Sequence, residues 1–438
     1  MRKNHLFVGS ICLLILLLSA CSKYENNHLI NPIDEEVIIS PYISPEAEIL
    51  EDAKNFREGI VPSGLRALSE PIDYSKTEVS SYYEKIPVTS DMQVKKSVRY
   101  QQIPVYILNY KTQSNQPAGF VIKASDSRIE NLTLAFSDEG QFSGFDKLEE
   151  ADGGYFKERI GAYIFSTIEQ IPISEEMEKR VNAVYTLTYK APLLKVTWDQ
   201  TISPYNNYSP VCSGQTKMPA GCSAIALAQI MTYYKWPEKG YYTRKTTGQA
   251  IPVTYNYWNE ITQTANATNL TNSQHREHVA NLCAEAGYWL RTDYKCDASS
   301  AGNYNVIGTL RKMGYKDMIL RAAMDRNYDF VYIWDDIMAG RPVFMATTAR
   351  IFNNGMKSKS HAYVVDGIQT VQANNKYGRD FYIHVNFGWE GQDNGYYLVY
   401  PGVDEEVPTF MDEEVYYIWE PVIVTNIQKD SQNNGATK

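Results

Sequence analysis

The sequence predicts an α+β protein built of two folded parts, and three observations predict it. At 438 residues the chain is too long for one compact core, and with 44% hydrophobic residues it can fill more than one. Helical periodicity is concentrated in 222–234 and 273–290, while short apolar runs separated by Asn, Gly and Asp crowd the C-terminal half, so helices come first and a sheet later. Ahead of both, a separate group of short strands is followed by a single helical stretch. No internal repeat is present.

The start, "MRKNHLFVGSICLLILLLSACSKYE", combines a basic tip, an apolar run too short to span a bilayer comfortably and small residues before Cys21, which is the pattern of an export signal. Leu18, Ser19, Ala20 and Cys21 resemble the bacterial lipobox, whose cysteine is acylated and becomes the first residue of the mature chain. A plain secretory signal that ends in cysteine is the alternative. On the lipobox reading residues 1–21 are a lipoprotein signal, Cys21 anchors the protein to a membrane through lipid, and the protein belongs to the bacterial cell envelope. Residues 22–60 are polar, acidic and proline-spotted, as expected of a tether.

Residues 61–190 form the first folded part. "IPVYILNYK", "AGFVIKAS" and "NLTLAFSDEGQF" predict a small antiparallel sheet, and Phe156, Ile160, Ile164 and Ile168, recurring at every fourth position, predict a helix. The second part spans 191–427. In its helix 273–290 a stripe of Val279, Leu282, Cys283, Ala286 and Leu290 makes Cys283 a core residue. Its strands are "RPVFMATTA", "HAYVVDGIQ", "RDFYIHVNFGW" and "GYYLVY". The polar end, 428–438, is expected to fray. A net charge of -9 without a clustered Lys/Arg run argues against nucleic acid as a partner.

The chemistry centres on "PAGCSAIALAQIMTYYKWP". A helix that starts at Cys222 sets the sulfur beside unpaired N–H groups and the positive end of the helix dipole, which favour thiolate, and Gly221 permits a sharp turn with room for a substrate. A thiolate nucleophile needs an imidazole to hold the ion pair and to protonate a leaving amine. Of six histidines, His5 lies in the signal and His28 in the tether, while His275 and His278 are expected on the polar side of a helix, without the further ligands a metal would need. His361 opens an apolar strand and can stand at a sheet end facing a cleft. His384 is mid-strand, where alternation puts Tyr382, His384 and Asn386 on one face. Asn386 is thereby placed to orient an imidazole, with Trp389 to shield that bond from water. His361 follows Cys222 by roughly 140 residues, within the 130 to 150 of the papain-type order Cys, His, Asn.

Four cysteines remain in the folded body, Cys212, Cys222, Cys283 and Cys296. In an oxidising compartment two disulfides are the default, but a nucleophilic Cys222 must stay reduced and allows at most one among the other three.

Together "WDQTISPYN", "AGCSAIALAQIMTYYKWP", "SHAYVVDG" and "HVNFGWEGQDNGYY" resemble the streptopain-like cysteine peptidases, exported bacterial proteases with a papain-like catalytic core. The resemblance covers most of 195–427, and residues 61–190 resemble that family's inhibitory propeptide. It implies a papain-like peptidase domain, an intramolecular inhibitor, protein or peptide substrates and no cofactor. Carried over by position, Cys222 is the nucleophile, His361 its partner, oriented by Asn386 or backbone near it, and Gln200 an amide that joins the Cys222 N–H in an oxyanion hole. "DYKCDASSAGN" resembles the substrate-binding loop, which makes Ser300 and Ser360 candidates for substrate contact. Two stretches depart from the pattern: Ser360 stands where the family has glycine, and Phe387, Gly388, Trp389, Glu390 and Gly391 stand where it has Trp-Gly-Trp-Gly-Gly. An acyl-transfer enzyme with the same Cys and His, or a non-catalytic surface lipoprotein that binds a protease, are the competing functions.

Overall fold

The computed structural model describes residues 36–40, 42–60, 70–87, 99–129, 132–147, 154–169, 184–214, 216–322, 329–352, 356–373, 380–399, 416–419 and 421–435. The export signal with Cys21 and the first part of the expected tether lie outside them. The chain divides into two compact units, one of Met1–Ile38 with Pro87–Gln101 and one of Ile39–Ile86 with Gln102–Lys438. The first is described only at 36–38, 87 and 99–101, and the candidate site lies in the second.

Along the chain, strand β1 (Glu36–Ile39) precedes helix α1 (Glu46–Ile60), strands β2 (Glu78–Pro87), β3 (Arg99–Lys111), β4 (Pro117–Ala124) and β5 (Thr133–Ser137), helix α2 (Tyr155–Glu169) and β6 (Val184–Lys190). Next come helix α3 (Cys222–Tyr234), the hairpin β7 (Lys239–Thr243) and β8 (Ala250–Thr254), and helices α4 (Ser273–Trp289) and α5 (Asn305–Lys312). The chain continues through β9 (Tyr315–Lys316), β10 (Ile319–Ala322), helix α6 (Asp329–Met338), β11 (Val343–Phe352), β12 (Met356–Ala373), β13 (Asp380–Asn386) and β14 (Gly395–Val399), and ends with β15 (Tyr416–Trp419), β16 (Val422–Thr425) and β17 (Gln428–Lys429).

One antiparallel sheet runs β3, β4, β5, β14, β13, β12, β11, β16, β10. With helices on it, the architecture is α+β, as the order of sequence patterns predicts. The sequence suggests two separately folded parts, yet the sheet is continuous between them: Phe136 and Ala135 of β5 pair with Tyr396 and Tyr397 of β14.

Two cores meet at this sheet. Alternation along β12 sends Ala362 and Val364 to the side of α3, α4 and α5, and Tyr363 and Val365 to the side of α2 and the β3–β5 strands. Helix α3 is apolar all round, and its residues Ser223 to Thr232 are buried, as such a helix requires. It ends at Lys235, which takes a left-handed conformation before Trp236 and Pro237. Helix α2 buries Phe156, Ile160, Ile164 and Ile168, the residues whose spacing predicted it.

Two expectations are corrected. The tether contains helix α1, because Ile49, Ala53 and Arg57 recur at every fourth position and are buried, with Phe56 set edge-on against Phe136 at 5.3 Å. The C-terminal segment does not fray at its start, since β17 pairs with β9 and the Asn434 carbonyl accepts the N–H groups of Glu238 and Lys239.

Phe156 is the aromatic centre of the α2 face, with its ring 4.7 Å from Tyr397, 5.7 Å from Phe387 and 5.8 Å from Tyr363. Phe156→Ala is expected to lower the stability of the full chain by about 3–5 kcal/mol in urea denaturation, the range for emptying a buried aromatic site. A loss near zero would show that α2 does not pack there.

Candidate active site

Cys222 is the first residue of α3, and the backbone reaches it through Gly221 at φ 98°, a conformation L side chains rarely adopt. A Cβ at Gly221 would also stand 3.5 Å from the Ser299 carbonyl oxygen, so the nucleophile turn and the loop holding Ser299 are in close contact. The Cys222 sulfur accepts N–H hydrogen bonds from Ala362 on β12 and from Ser223. The first of these bonds puts the sulfur beside the residue that follows His361.

His361 lies on β12 opposite Thr347 of β11 and is buried. Its Nε2–H donates to the Phe387 carbonyl at 2.9 Å, which leaves Nδ1 as the basic nitrogen of the neutral ring. The Trp389 ring lies 4.6 Å from the imidazole and is stacked on Phe387 at 4.9 Å. Asn386 does not orient this imidazole. Its side chain donates to the Val196 carbonyl at 2.8 Å and accepts the Gly388 N–H at 3.2 Å, so it shapes the turn that presents the Phe387 carbonyl. The backbone next to Asn386 takes the orienting role, and Trp389 covers the bond.

Burial dominates the electrostatics. It pushes the Cys222 thiol up, against the pull of the N–H groups on its sulfur, and brings the His361 imidazole down to about 4. No hydrogen bond joins Cys222 to His361 among the described residues. The full-length chain thus holds a neutral thiol beside a neutral imidazole, whereas helix position alone predicts a thiolate.

Gln200 is half-buried and lines a cleft of about 780 Å³ together with Trp389, Asn386, Asp199 and His384. Its carbonyl accepts the Ala220 N–H at 2.7 Å, which ties it to the turn before Cys222. Ser360 is exposed, with its hydroxyl accepting from Thr348 at 3.2 Å, and Ser300 is exposed while its backbone exchanges two hydrogen bonds with Asp293.

His384 is committed elsewhere: its Nδ1–H donates to Asp366 at 2.6 Å. Asp366 also accepts the Leu194 N–H on its carboxylate and the Leu193 N–H on its carbonyl, and so clamps the segment leading to Gln200. Sequence reasoning missed Asp366, although it lies within "HAYVVDG" on the strand that carries His361. His278, expected to be solvated, is buried against Trp258 and Tyr255, accepts the Tyr257 N–H on Nδ1 and is brought down to about 3 by burial. The segment 255–258 folds over this face of α4, which no periodicity within α4 reveals. Cys212 and Cys296 form a disulfide, Cys283 is buried and Cys222 is free, in keeping with the expectation of at most one bridge that spares the nucleophile.

Residues 198–397 match the Peptidase C10 family. Streptopain from Streptococcus pyogenes is 27% identical over 328 residues, covering 67% of this chain and 73% of its own length. The thiol protease/hemagglutinin PrtT of Porphyromonas gingivalis is 24% identical over 307 residues, covering 64% of this chain but 32% of its own. Among solved structures, a prointerpain A fragment of Prevotella intermedia aligns with a TM-score of 0.48 at 20% identity, over 76% of this chain and 96% of that one. The protein is a cysteine-type peptidase. It is streptopain-like, and its residues 198–397 are similar to the Peptidase C10 family.

The His361 shift has a stability consequence with a definite sign. An unfolded histidine takes up a proton near pH 6.5, whereas buried His361 resists it until about 4. Its neutral burial therefore stabilises the fold above pH 6.5, and that contribution is lost as the pH falls through the window, by up to about 1.4 kcal/mol per unit. Glu285, pushed up to about 7 by burial, acts in the opposite sense, so the readout is the difference between wild type and His361→Gln. The stability of wild type relative to the variant should shrink from pH 7 to 4 in denaturant titrations. A pH-independent difference would show that His361 is not held neutral.

Proposed function

We propose that the protein is an exported cysteine endopeptidase made as a zymogen, in which the part before residue 190 restrains the Cys222 and His361 pair until it is cut away. The observation that carries this reading is the state of the pair: the nucleophile and the base lie on adjoining elements, His361 buried and Cys222 half-buried, yet both are neutral and not bonded to each other. Phe156 of α2 packs against Phe387, the residue whose carbonyl holds His361, which gives the first part a direct hold on the base.

Freed and hydrated, His361 regains an ordinary basicity and its Nδ1 takes the Cys222 proton. The thiolate attacks the scissile carbonyl carbon. The oxyanion is held by the Cys222 N–H and the Gln200 side-chain amide, and the imidazolium gives its proton to the departing amine. Water, deprotonated by the imidazole, then splits the thioester and restores the thiol. Asp366, His384 and Asn386 hold the strap that carries Gln200, and Trp389 keeps water from the His361 bond. Ser300 and Ser360, exposed near the nucleophile turn and beside His361, are placed for contact with substrate. Export follows from the signal pattern, with Cys21 as the lipid anchor and release on maturation.

Maturation is assigned to the segment between Arg180 and Val196, with Lys190–Ala191 a candidate bond. The described part of this segment begins as strand β6, paired with β12, and leaves the sheet after Lys190. Wild type should shorten at this segment while Cys222→Ala remains full length. Cys222→Ala and His361→Ala should each abolish peptide cleavage, with non-additive losses, and Gln200→Ala should reduce turnover by about 100 to 1,000-fold. Full activity of the uncut wild-type chain, or near-normal turnover in Gln200→Ala, would contradict the zymogen and oxyanion assignments respectively.

A further inference from the structure

The loop between α4 and α5 lies beside the turn into Cys222, and its tip is exposed. At its base Asp293 and Ser300 exchange backbone hydrogen bonds at 2.8 and 3.1 Å, and Ser299 is buried with its hydroxyl accepting the Lys295 N–H at 3.3 Å. Between them, residues 295–298 are all exposed. The covalent tie at this tip is the Cys212–Cys296 disulfide. Cys212 belongs to the lead-in to the nucleophile: its N–H bonds the Thr216 carbonyl, the Met218 N–H bonds Pro210, the Ala220 N–H bonds Gln200, and the chain then turns at Gly221 into Cys222. The far end of the loop already touches that turn through Ser299.

We propose that the Cys212–Cys296 disulfide is a specificity-determining staple, which fixes this loop as a wall for binding an extended peptide while leaving the chemistry at Cys222 untouched. The inference rests on Cys222 as the nucleophile. With the bridge closed the tip is ordered before substrate arrives; with it open, an exposed four-residue stretch must be ordered each time a peptide binds along the wall. The bond lies outside the reacting groups, so its loss weakens binding and not turnover. Two thiols of a reductant, or one phosphine with water, convert the bridge to two Cys thiols, the phosphine being oxidised to its oxide. The enzyme therefore has two opposed redox requirements, a reduced Cys222 and an oxidised Cys212–Cys296 pair.

The test compares the mature wild type with the Cys212→Ser/Cys296→Ser double variant on an extended peptide and on a small acyl ester, with iodoacetamide labelling of Cys222 alongside. The double variant should label at the wild-type rate and keep its turnover within about twofold, while its KM for the extended peptide rises roughly tenfold or more and that for the ester stays put. A phosphine reductant should reproduce the KM rise in wild type and do nothing to the double variant. An unchanged KM for the peptide in the variant, or equal effects on ester and peptide, overturns the proposal. If the double variant does not fold, reversible phosphine treatment of wild type decides it by the same ratio of peptide to ester KM. Failure of wild type to hydrolyse either substrate would instead refute the assignment of Cys222.

Discussion

Strand β12 is buried on both faces, and most of the molecule depends on how it satisfies two cores at once. Ala362 and Val364 complete the helical side, and Tyr363 and Val365 complete the side of α2. A one-residue slip would exchange these sets and also move His361, so the packing that fixes the register fixes His361. The same strand supplies the Ala362 N–H to the Cys222 sulfur and, at the irregularity between Val365 and Gly367, the Asp366 carboxylate that clamps the strap to Gln200.

The neutral state of the pair follows from a comparison of magnitudes. Charge at a helix N-terminus is favoured by about 0.3–1 kcal/mol, rising to ~2 in partly buried settings. Removing an ionised group from water can shift a pKa by several units, each of about 1.4 kcal/mol. The N–H bonds from Ala362 and Ser223 oppose this shift at Cys222 without cancelling it, and at His361 a single bond to the Phe387 carbonyl does no more. Placement at a helix end is thus a condition for reactivity that becomes effective only once the site is wet and the two groups can share a proton.

Much of this was legible in the sequence, and what was not shares one physical character. Helix α3 was readable because "PAGC" marks its turn and the following residues are apolar all round; α2 was readable from the fourfold spacing of Phe156 to Ile168. Cys222 stood out by its place at a helix start, and elimination left His361 and His384, between which strand position, spacing and the family resemblance chose His361. The orienting partner of His361 was readable only as Asn386 or the backbone near it, because it is a backbone carbonyl, and a carbonyl has no residue type. Asp366 and His384 are partners from separate strands, and their pairing depends on an irregular register that alternation cannot encode. The burial of His278 was hidden because the segment that covers it, 255–258, lies outside its own helix, and the helix within 46–60 was hidden because its composition is polar and acidic.

The join between β5 and β14 explains why two parts with different roles form one compact unit. Backbone pairing is brief there, Phe136 with Tyr396 and Ala135 with Tyr397, so hydrogen bonds alone would hold it weakly. Aromatic burial supplies the rest. Phe136 stacks on Tyr396 at 4.9 Å and meets Tyr382 at 5.6 Å, and Phe156 closes the cluster of Tyr363, Phe387 and Tyr397. Each such ring removes roughly 150–250 Å² from water, worth about 4–6 kcal/mol at 25 cal/mol per Å² as an upper figure. Phe387 is the point where that interface meets His361, since its ring packs on Phe156 while its carbonyl holds the imidazole. The packing that unites the two parts therefore sets the position of His361.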